Sequence, residues 1–244
     1  MAQTAVLFVL ANPPWDQNRS GKPMVKIDNR EVFMRSVELY ANRDSVQQRI
    51  LCVLPDDLAH VQQKYGAHLG FQGVSAAAGG PDWFGAVARG LEKLKPEIEI
   101  VIVHDACCPA TPYTLLDALE QAVEKTGAAV PIVNLTGSLA KLGDANQIGE
   151  WTGAARMAHV QSPQIFSRKV LLDAYEKRSS IKTPLADDAA LVKAAGGKIT
   201  TVPGWKLSLR VDSDEAVRLA GDVLKHLPRL KSKAPISPFD EAQW

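Results

Sequence analysis

The segment VIVHDACCP at 101–109 ends an apolar run with a carboxylate, Asp105. In an α/β sheet that position lies beyond the carboxyl end of a strand, where such folds present their ligands. Asp105 can hold a divalent metal, a ribose hydroxyl or both, because Mg²⁺ prefers oxygen donors and few protein carboxylates. The plainer alternative is an aspartate that caps the turn after a strand. The loop NPPWDQNRSGKPM at 12–24 supplies charge through Arg19 and Lys22, with one glycine, Gly21. Backbone N–H groups and a lysine there could cradle phosphates, although its three prolines cannot donate. In GGPDW at 79–83, Gly79 and Gly80 admit close approach of a base or ribose, or serve a simple strand-to-helix turn.

Three further segments carry weaker signals. VQSPQIF at 160–166 reads as a proline-bounded turn leading into a helix. In LADDAALVKAAGG at 185–197, Asp187 and Asp188 begin a helix, where carboxylates favour the dipole. WKLSLRVDSDEA at 205–216 places Arg210 in a strand before an acidic helix start, within reach of a phosphate or a neighbouring carboxylate. Cys52, Cys107 and Cys108 are odd in number and lack metal-ligand spacing, which argues against disulfides and for a reducing cytoplasm. Cys107 and Cys108 react only if electropositive surroundings lower their pKa; otherwise they are small buried residues. No nucleophile–His–Asp arrangement follows from the spacing of the five histidines.

These residues need a frame. Short apolar runs at 5–11, 49–54, 98–104, 128–133 and 198–203 predict buried strands. Their continuous hydrophobicity suits a parallel sheet covered on both faces. Helical spacing over 32–40, 55–70, 83–94, 112–125, 167–177 and 185–195 alternates with them. That order predicts right-handed crossovers and an α/β, doubly wound, mostly parallel Rossmann-like sheet. Residues 134–158 are polar and glycine-bearing, and read as a protruding arm, a hairpin excursion. One domain is expected over 1–230, with an irregular tail at 231–244.

Composition narrows the function. The 244 residues are 46% hydrophobic and 23% charged, as in ordinary globular chains. A net charge of +1 provides no broad basic field for nucleic acid and no polybasic run for a membrane, so any anion site is local. The run Ala5 to Ala11 is too short to span a bilayer and lacks the basic start of a signal peptide, so a cytoplasmic location is expected.

Taken in order, these segments resemble the 2-C-methyl-D-erythritol 4-phosphate cytidylyltransferase family, from about Val6 to Leu224. VIVHDACCP resembles the family's VHDAARP, and GGPDWFGAVARGL its GG-x-x-R-x-x-S-V-x-x-GL. VQSPQIF resembles TPQ-x-F, ADDAALVKAAG resembles TDDA-x-L-x-E-x-x-G, and LSLRVDSDEAVRLA resembles NIKIT-x-P-x-DL-x-x-A. The chain also departs from the pattern. FVLANPPWD replaces the glycine-rich PAAG-x-G-x-R-M loop, Cys108 replaces the arginine of DAARP, and Ala86 replaces the serine of the GG element. The PKQ lysine corresponds to Lys22, and the NIK lysine to Arg210, which keeps charge in a different geometry. Counting back from Ser162 to the family's arm arginine gives Ala154, so Arg156 takes that role only on a shorter arm.

The resemblance implies transfer of CMP from CTP to 2-C-methyl-D-erythritol 4-phosphate, a small sugar-alcohol phosphate, with release of pyrophosphate in non-mevalonate isoprenoid synthesis. It implies catalytic cations at Lys22, Arg210 and Arg156, and nucleotide contacts at Ala11, Asn12, Gly79, Gly80, Asp82 and Asp105. It further implies acceptor contacts at Ser162, Asp105 and Thr136, and Mg²⁺ or another divalent cation on Asp105. A homodimer is implied too, the arm completing the partner's site. The departures leave a second reading, a catalytically inactive homologue that keeps the fold for binding or assembly.

Overall fold

Strand β1 (Thr4–Val9) is buried along its whole length. Val6 and Phe8 pack into one core cluster while Ala5, Leu7 and Val9 pack into another. Because successive side chains point to opposite faces, a continuous apolar run means that both faces are covered. The computed structural model describes residues 2–144 and 147–227. It contains α1 (Val32–Glu38), α2 (Pro55–Phe71) and α4 (Tyr113–Thr126), which pack on the Phe8 side, and α3 (Trp83–Glu92), α5 (Arg168–Lys177) and α6 (Asp188–Ala194), which pack on the Leu7 side.

Strands β4 (Val46–Val53), β5 (Val74–Ala78) and β6 (Ile100–Asp105) join β1 in the parallel order β5-β4-β1-β6. The remaining sheet strands are β7 (Ala128–Asn134), β10 (Ala158–Val160), β11 (Gln164–Ser167) and β12 (Thr200–Pro203). β11 runs antiparallel between β6 and β7. β10 and β12 take opposite edges of β7, since Val160 and Pro203 both face Ile132. This eight-stranded sheet is the expected mostly parallel, doubly wound α/β frame. A small ribbon, β2 (Lys26–Ile27) and β3 (Arg30–Glu31), follows the first loop. Helix α7 (Asp214–His226) closes over that ribbon through Ile27, Val32 and Ala220.

Two local expectations are corrected and one unexpected strand is added. Residues 160–166 do not simply turn into a helix: β10 ends, a cis peptide joins Ser162 to Pro163, and β11 follows. Ile165 and Phe166 alternate between the two core clusters, a strand's period of two, and the helix starts only after Ser167 caps it. Strand β5, sequence VSAAA, is too small in its side chains to stand out as an apolar run. Arg210 lies in no strand. Residues 204–212 follow β12 irregularly because Gln161, not a ladder, satisfies their backbone, donating to the carbonyls of Trp205 and Ser208 and accepting from the Trp205 amide.

The arm is a hairpin, as expected: β8 (Ser138–Leu142) pairs antiparallel with β9 (Ile148–Gly153) and exposes Leu142 and Trp151. The expected tail at 231–244 lies outside the described residues. Among the described residues no helix is long and apolar enough to cross a membrane.

Candidate active site

Asp105 is the last residue of β6 and stands beside Val9, the last residue of β1. With β4 and β5 on one side of β1 and β6 on the other, this is the sheet's topological switch point, where ligands bind in open α/β folds. The Asp105 side chain is nearly buried. Its Oδ1 accepts the Cys107 amide at 2.9 Å, and its Oδ2 accepts Arg210 Nε at 2.7 Å. The Asp105 amide donates to Ser162 Oγ at 2.9 Å.

Arg210 ties three chain segments together. Besides Asp105, its Nη1 donates to Asp16 Oδ2 and its Nη2 to Asn12 Oδ1, each at 2.8 Å. The side chain is only 8% exposed, so it is held rather than swinging in solvent. Its guanidinium also lies 5.2 Å from the centre of the half-exposed Trp15 ring. Asp16 organises the first loop, accepting the Ser20 amide at 3.0 Å, the Ser20 hydroxyl at 2.9 Å and the Gly21 amide at 3.3 Å. A side chain at Gly21 would strike the Arg210 guanidinium and Asn12 Oδ1, so a larger residue there must displace that pair.

Asp105, Arg210 and Trp15 border a cavity of about 620 Å³, lined also by Thr136, Ser162, Asp187, Asp188 and Lys206. The size suits a small phosphorylated ligand. Apolar walls come from Pro13, Val133, Leu135 and Leu209.

The chain's relatives agree on one family. The family model of 2-C-methyl-D-erythritol 4-phosphate cytidylyltransferase matches residues 16–226. The enzyme of that name from Saccharopolyspora erythraea is 28% identical over 83% of this chain and 90% of its own length. Its counterpart from Frankia casuarinae is 30% identical over 83% of this chain and 74% of its own. The bifunctional IspD/IspF enzyme of Nitrobacter hamburgensis is 30% identical, but the chain spans only 53% of its length. Among solved structures, the Thermus thermophilus cytidylyltransferase superposes with a TM-score of 0.74 at 22% identity, covering 90% of this chain and 98% of that one. The Anaerococcus prevotii synthase gives 0.75 at 18% identity, over 91% and 96%.

The chain belongs to the 2-C-methyl-D-erythritol 4-phosphate cytidylyltransferase family.

Against that family's pattern, the structure brings together Asn12, Thr136, Asp105, Ser162 and Arg210 and leaves other residues apart. Lys22 does not line the cavity; its ammonium pairs with Asp214 at 2.6 Å, at the start of α7. Ala11 is buried among the apolar side chains of the α3 face. Gly79 and Gly80 lie against α3, where an added Cβ would come within 2.5 Å of Ala86 and Gly85 backbone respectively. Ala86, standing where the family has serine, is fully buried at that contact. Asp82 caps α3 by accepting the Gly85 amide at 2.7 Å and faces Arg178 at 3.5 Å. Arg156 is exposed at the turn after β9, with a left-handed φ of 63°.

The electrostatics follow from burial. Burial pushes the Asp105 carboxyl above the usual range, with Arg210 and the Cys107 amide pulling against it. Burial likewise works upward on Asp16, but the Ser20 and Arg210 contacts win and hold its carboxyl low. Arg210 is kept firmly protonated: burial opposes its charge, and Asp105 and Asp16 more than restore it. Cys107 and Cys108 are buried thiols raised well above their ordinary value by desolvation and by Asp105, which makes them packing residues rather than nucleophiles.

His104 is fully buried, and burial lowers its pKa to about 4. The neutral ring donates Nε2–H to the Cys108 carbonyl at 2.9 Å and accepts the Tyr40 hydroxyl on Nδ1 at 2.8 Å. It therefore fixes the turn after Asp105 instead of moving protons. The residues that sequence reasoning missed are Asp16, Trp15 and Gln161. Asp16 had one visible signal, a carboxylate four residues before Ser20 within a proline-bounded loop, but its arginine partner is 194 residues away.

Proposed function

We infer that this chain is a cytidylyltransferase whose reaction takes place in the Asp105–Arg210 cavity: CMP passes from CTP to 2-C-methyl-D-erythritol 4-phosphate, and pyrophosphate leaves. An oxygen of the acceptor phosphate attacks the α-phosphorus, the bond to the β-phosphate oxygen breaks, and its electron pair departs with pyrophosphate. One observation carries the assignment of place: Asp105 and Arg210 meet at 2.7 Å at the sheet's switch point, on the wall of the cavity.

Catalysis of this kind rests on positioning and on charge neutralisation at the phosphoryl group. Arg210 has five N–H donors, of which three are engaged by Asp105, Asp16 and Asn12, so two remain for phosphate oxygens. Lys206 adds a second cation to the cavity wall. Thr136 and Ser162 offer hydroxyls to the acceptor. Lys22 and Arg156 serve as catalytic cations only after moving, Lys22 by leaving Asp214 and Arg156 by entering a neighbouring subunit's site.

The donor set fits a magnesium ion. Two carboxylates, Asp105 and Asp16, face one guanidinium, an excess of negative charge that a divalent cation arriving with the nucleotide balances. Among the described residues no three His, Cys, Asp or Glu side chains form a ready-made metal cage, consistent with an ion carried largely by phosphates. When bound, that ion supplies charge stabilisation to the transferring phosphoryl group. The arm hairpin, with exposed Ile148 and Trp151, is the surface through which two copies associate.

Pyrophosphate release from CTP, Mg²⁺ and methylerythritol phosphate tests the reading, with ATP, GTP and UTP in parallel. Release with CTP and its loss in Arg210→Ala are expected. No release with any nucleotide and no CTP-dependent thermal shift would overturn it. A species that stays monomeric as concentration is raised in sedimentation would remove the arm-mediated dimer.

A further inference from the structure

We propose that Asp16 is the positioning residue that sets nucleotide affinity, by holding Arg210 and the first loop in one arrangement across the mouth of the site. This rests on the cytidylyltransferase reading and deepens it. The family's glycine-rich loop is absent here; the loop instead carries three prolines and Trp15. A loop that cannot use glycine backbone to shape itself needs another organiser. Asp16 supplies it, because one carboxylate gathers the Ser20 amide, the Ser20 hydroxyl, the Gly21 amide and Arg210 Nη1. Its side chain is only 4% exposed, so these contacts are shielded from water.

The consequence reaches the ligand through Arg210. That guanidinium is planar and its donors are fixed in a fork. With Nε on Asp105 and Nη2 on Asn12, the bond from Nη1 to Asp16 is the third point that fixes the plane. Fixing the plane aims the two unused N–H groups. Arg19, beyond Asp16 in the same loop, adopts a left-handed φ of 51°, and its amide donates to the Asp16 carbonyl at 3.1 Å, so the whole turn is wound around this residue. Asn in place of Asp16 still accepts from Ser20. However, its amide either presents N–H to Arg210 or loses one loop contact, and the countercharge is gone.

A double-mutant cycle with Arg210→Lys tests whether Asp16 acts through the arginine. Wild type, Asp16→Asn, Arg210→Lys and the double variant are compared for Mg·CTP affinity by calorimetry and for the KM and kcat of pyrophosphate release. Hydrogen exchange over residues 12–22 gives a readout independent of activity. Asp16→Asn is expected to weaken CTP affinity and kcat/KM by about 10- to 100-fold, the scale of a small misplacement of a charged contact. On the Arg210→Lys background the same substitution is expected to change them less than about twofold, because a lysine cannot use the fork. Loop exchange is expected to quicken equally in both single variants and no further in the double. Equal effects on both backgrounds overturn the proposal, as does a fall in Tm with unchanged affinity and exchange. Should wild type neither bind CTP nor release pyrophosphate, the cytidylyltransferase reading fails, and the exchange cycle alone still decides whether Asp16 holds the loop through Arg210.

Discussion

Two buried carboxylates border the same cavity and are treated in opposite ways. Asp105 is 5% exposed and answered by a full positive charge, Arg210, at 2.7 Å. Asp188 is 1% exposed and answered by neutral donors alone, Trp83 Nε1 at 2.8 Å and Tyr175 Oη at 2.5 Å. Burial raises Asp188 to about pKa 6, and the Tyr175 and Trp83 hydrogen bonds recover only part of that. Burial raises both carboxyls, but only at Asp105 does a full positive charge oppose the rise. A carboxylate held by neutral groups can change its charge near neutrality. The first arrangement suits a group that must orient an arginine; the second makes the α3–α6 wall of the cavity responsive to pH.

The comparison breaks most visibly at Arg210. Arg210→Met leaves Asp105 and Asp16 facing each other without their cation, so a stability loss of about 3–5 kcal/mol is expected, as when one partner of a buried pair is removed. Urea denaturation measures it. Pairing the change with Asp105→Asn and Asp16→Asn should recover much of the loss, because the buried charges go together. A loss below about 1 kcal/mol would mean that the pair is hydrated and the cavity open to water.

Asp188 should respond with the opposite sign. Its folded pKa lies above the unfolded value of 3.8, so the folded state binds the extra proton and stability falls as pH rises from 3.8 to about 6. His104 behaves inversely: its folded pKa of about 4 lies below the unfolded 6.5, so its contribution is lost as pH falls through the same window. Each shift corresponds to about 3 kcal/mol, and in wild type the two largely offset. Asp188→Asn removes one of them. The variant should be at least as stable as wild type at pH 7, yet lose about 3 kcal/mol more on acidification from 6.5 to 4. Parallel pH–stability curves for the two proteins would sink this assignment.

The frame of the molecule was legible because burial on both faces writes itself as unbroken apolar runs, as in β1 and β6. The switch-point position of Asp105 followed from that frame and from the carboxylate ending the run. The site was less legible wherever its partners come from distant segments. Nothing local to Arg210 announces Asn12 or Asp16, and the segment around it imitated a strand because Leu207, Leu209 and Val211 alternate with polar residues. Small residues left two readings open as well: Gly79 and Gly80 suited a ligand's approach or a strand-to-helix turn, and both pack closely against α3.

Gly80 therefore separates packing from ligand contact on the Asp188 side. Its Cβ would lie 2.5 Å from the Gly85 Cα, so Gly80→Ala must push the first turn of α3. Overpacking of this kind costs about 1–3 kcal/mol. Because Trp83 begins that helix, its bond to Asp188 should lengthen and the carboxyl should rise further. Thermal unfolding reads the first effect and the pH–stability curve the second. An unchanged Tm with a large loss of CTP affinity would restore Gly80 to direct nucleotide contact.

The finest probe of the contrast is Tyr175→Phe. It deletes one of the two hydrogen bonds to Asp188 while keeping the ring that packs edge-on near Phe84, with centroids 6.3 Å apart. The lost bond was made to a charged acceptor, so about 1–2 kcal/mol of stability should go at pH 7. At pH 4 the carboxyl is protonated and can itself donate, so the loss should shrink to well under about 1 kcal/mol. Stability of the variant relative to wild type, measured at both pH values, gives the difference directly. If the deficit is the same at both, the bond does not depend on the charge of Asp188, and the responsive wall reduces to ordinary packing. If it grows with pH, the neutral donors are what permit Asp188 to ionise at all, the task that Arg210 performs for Asp105 with a charge.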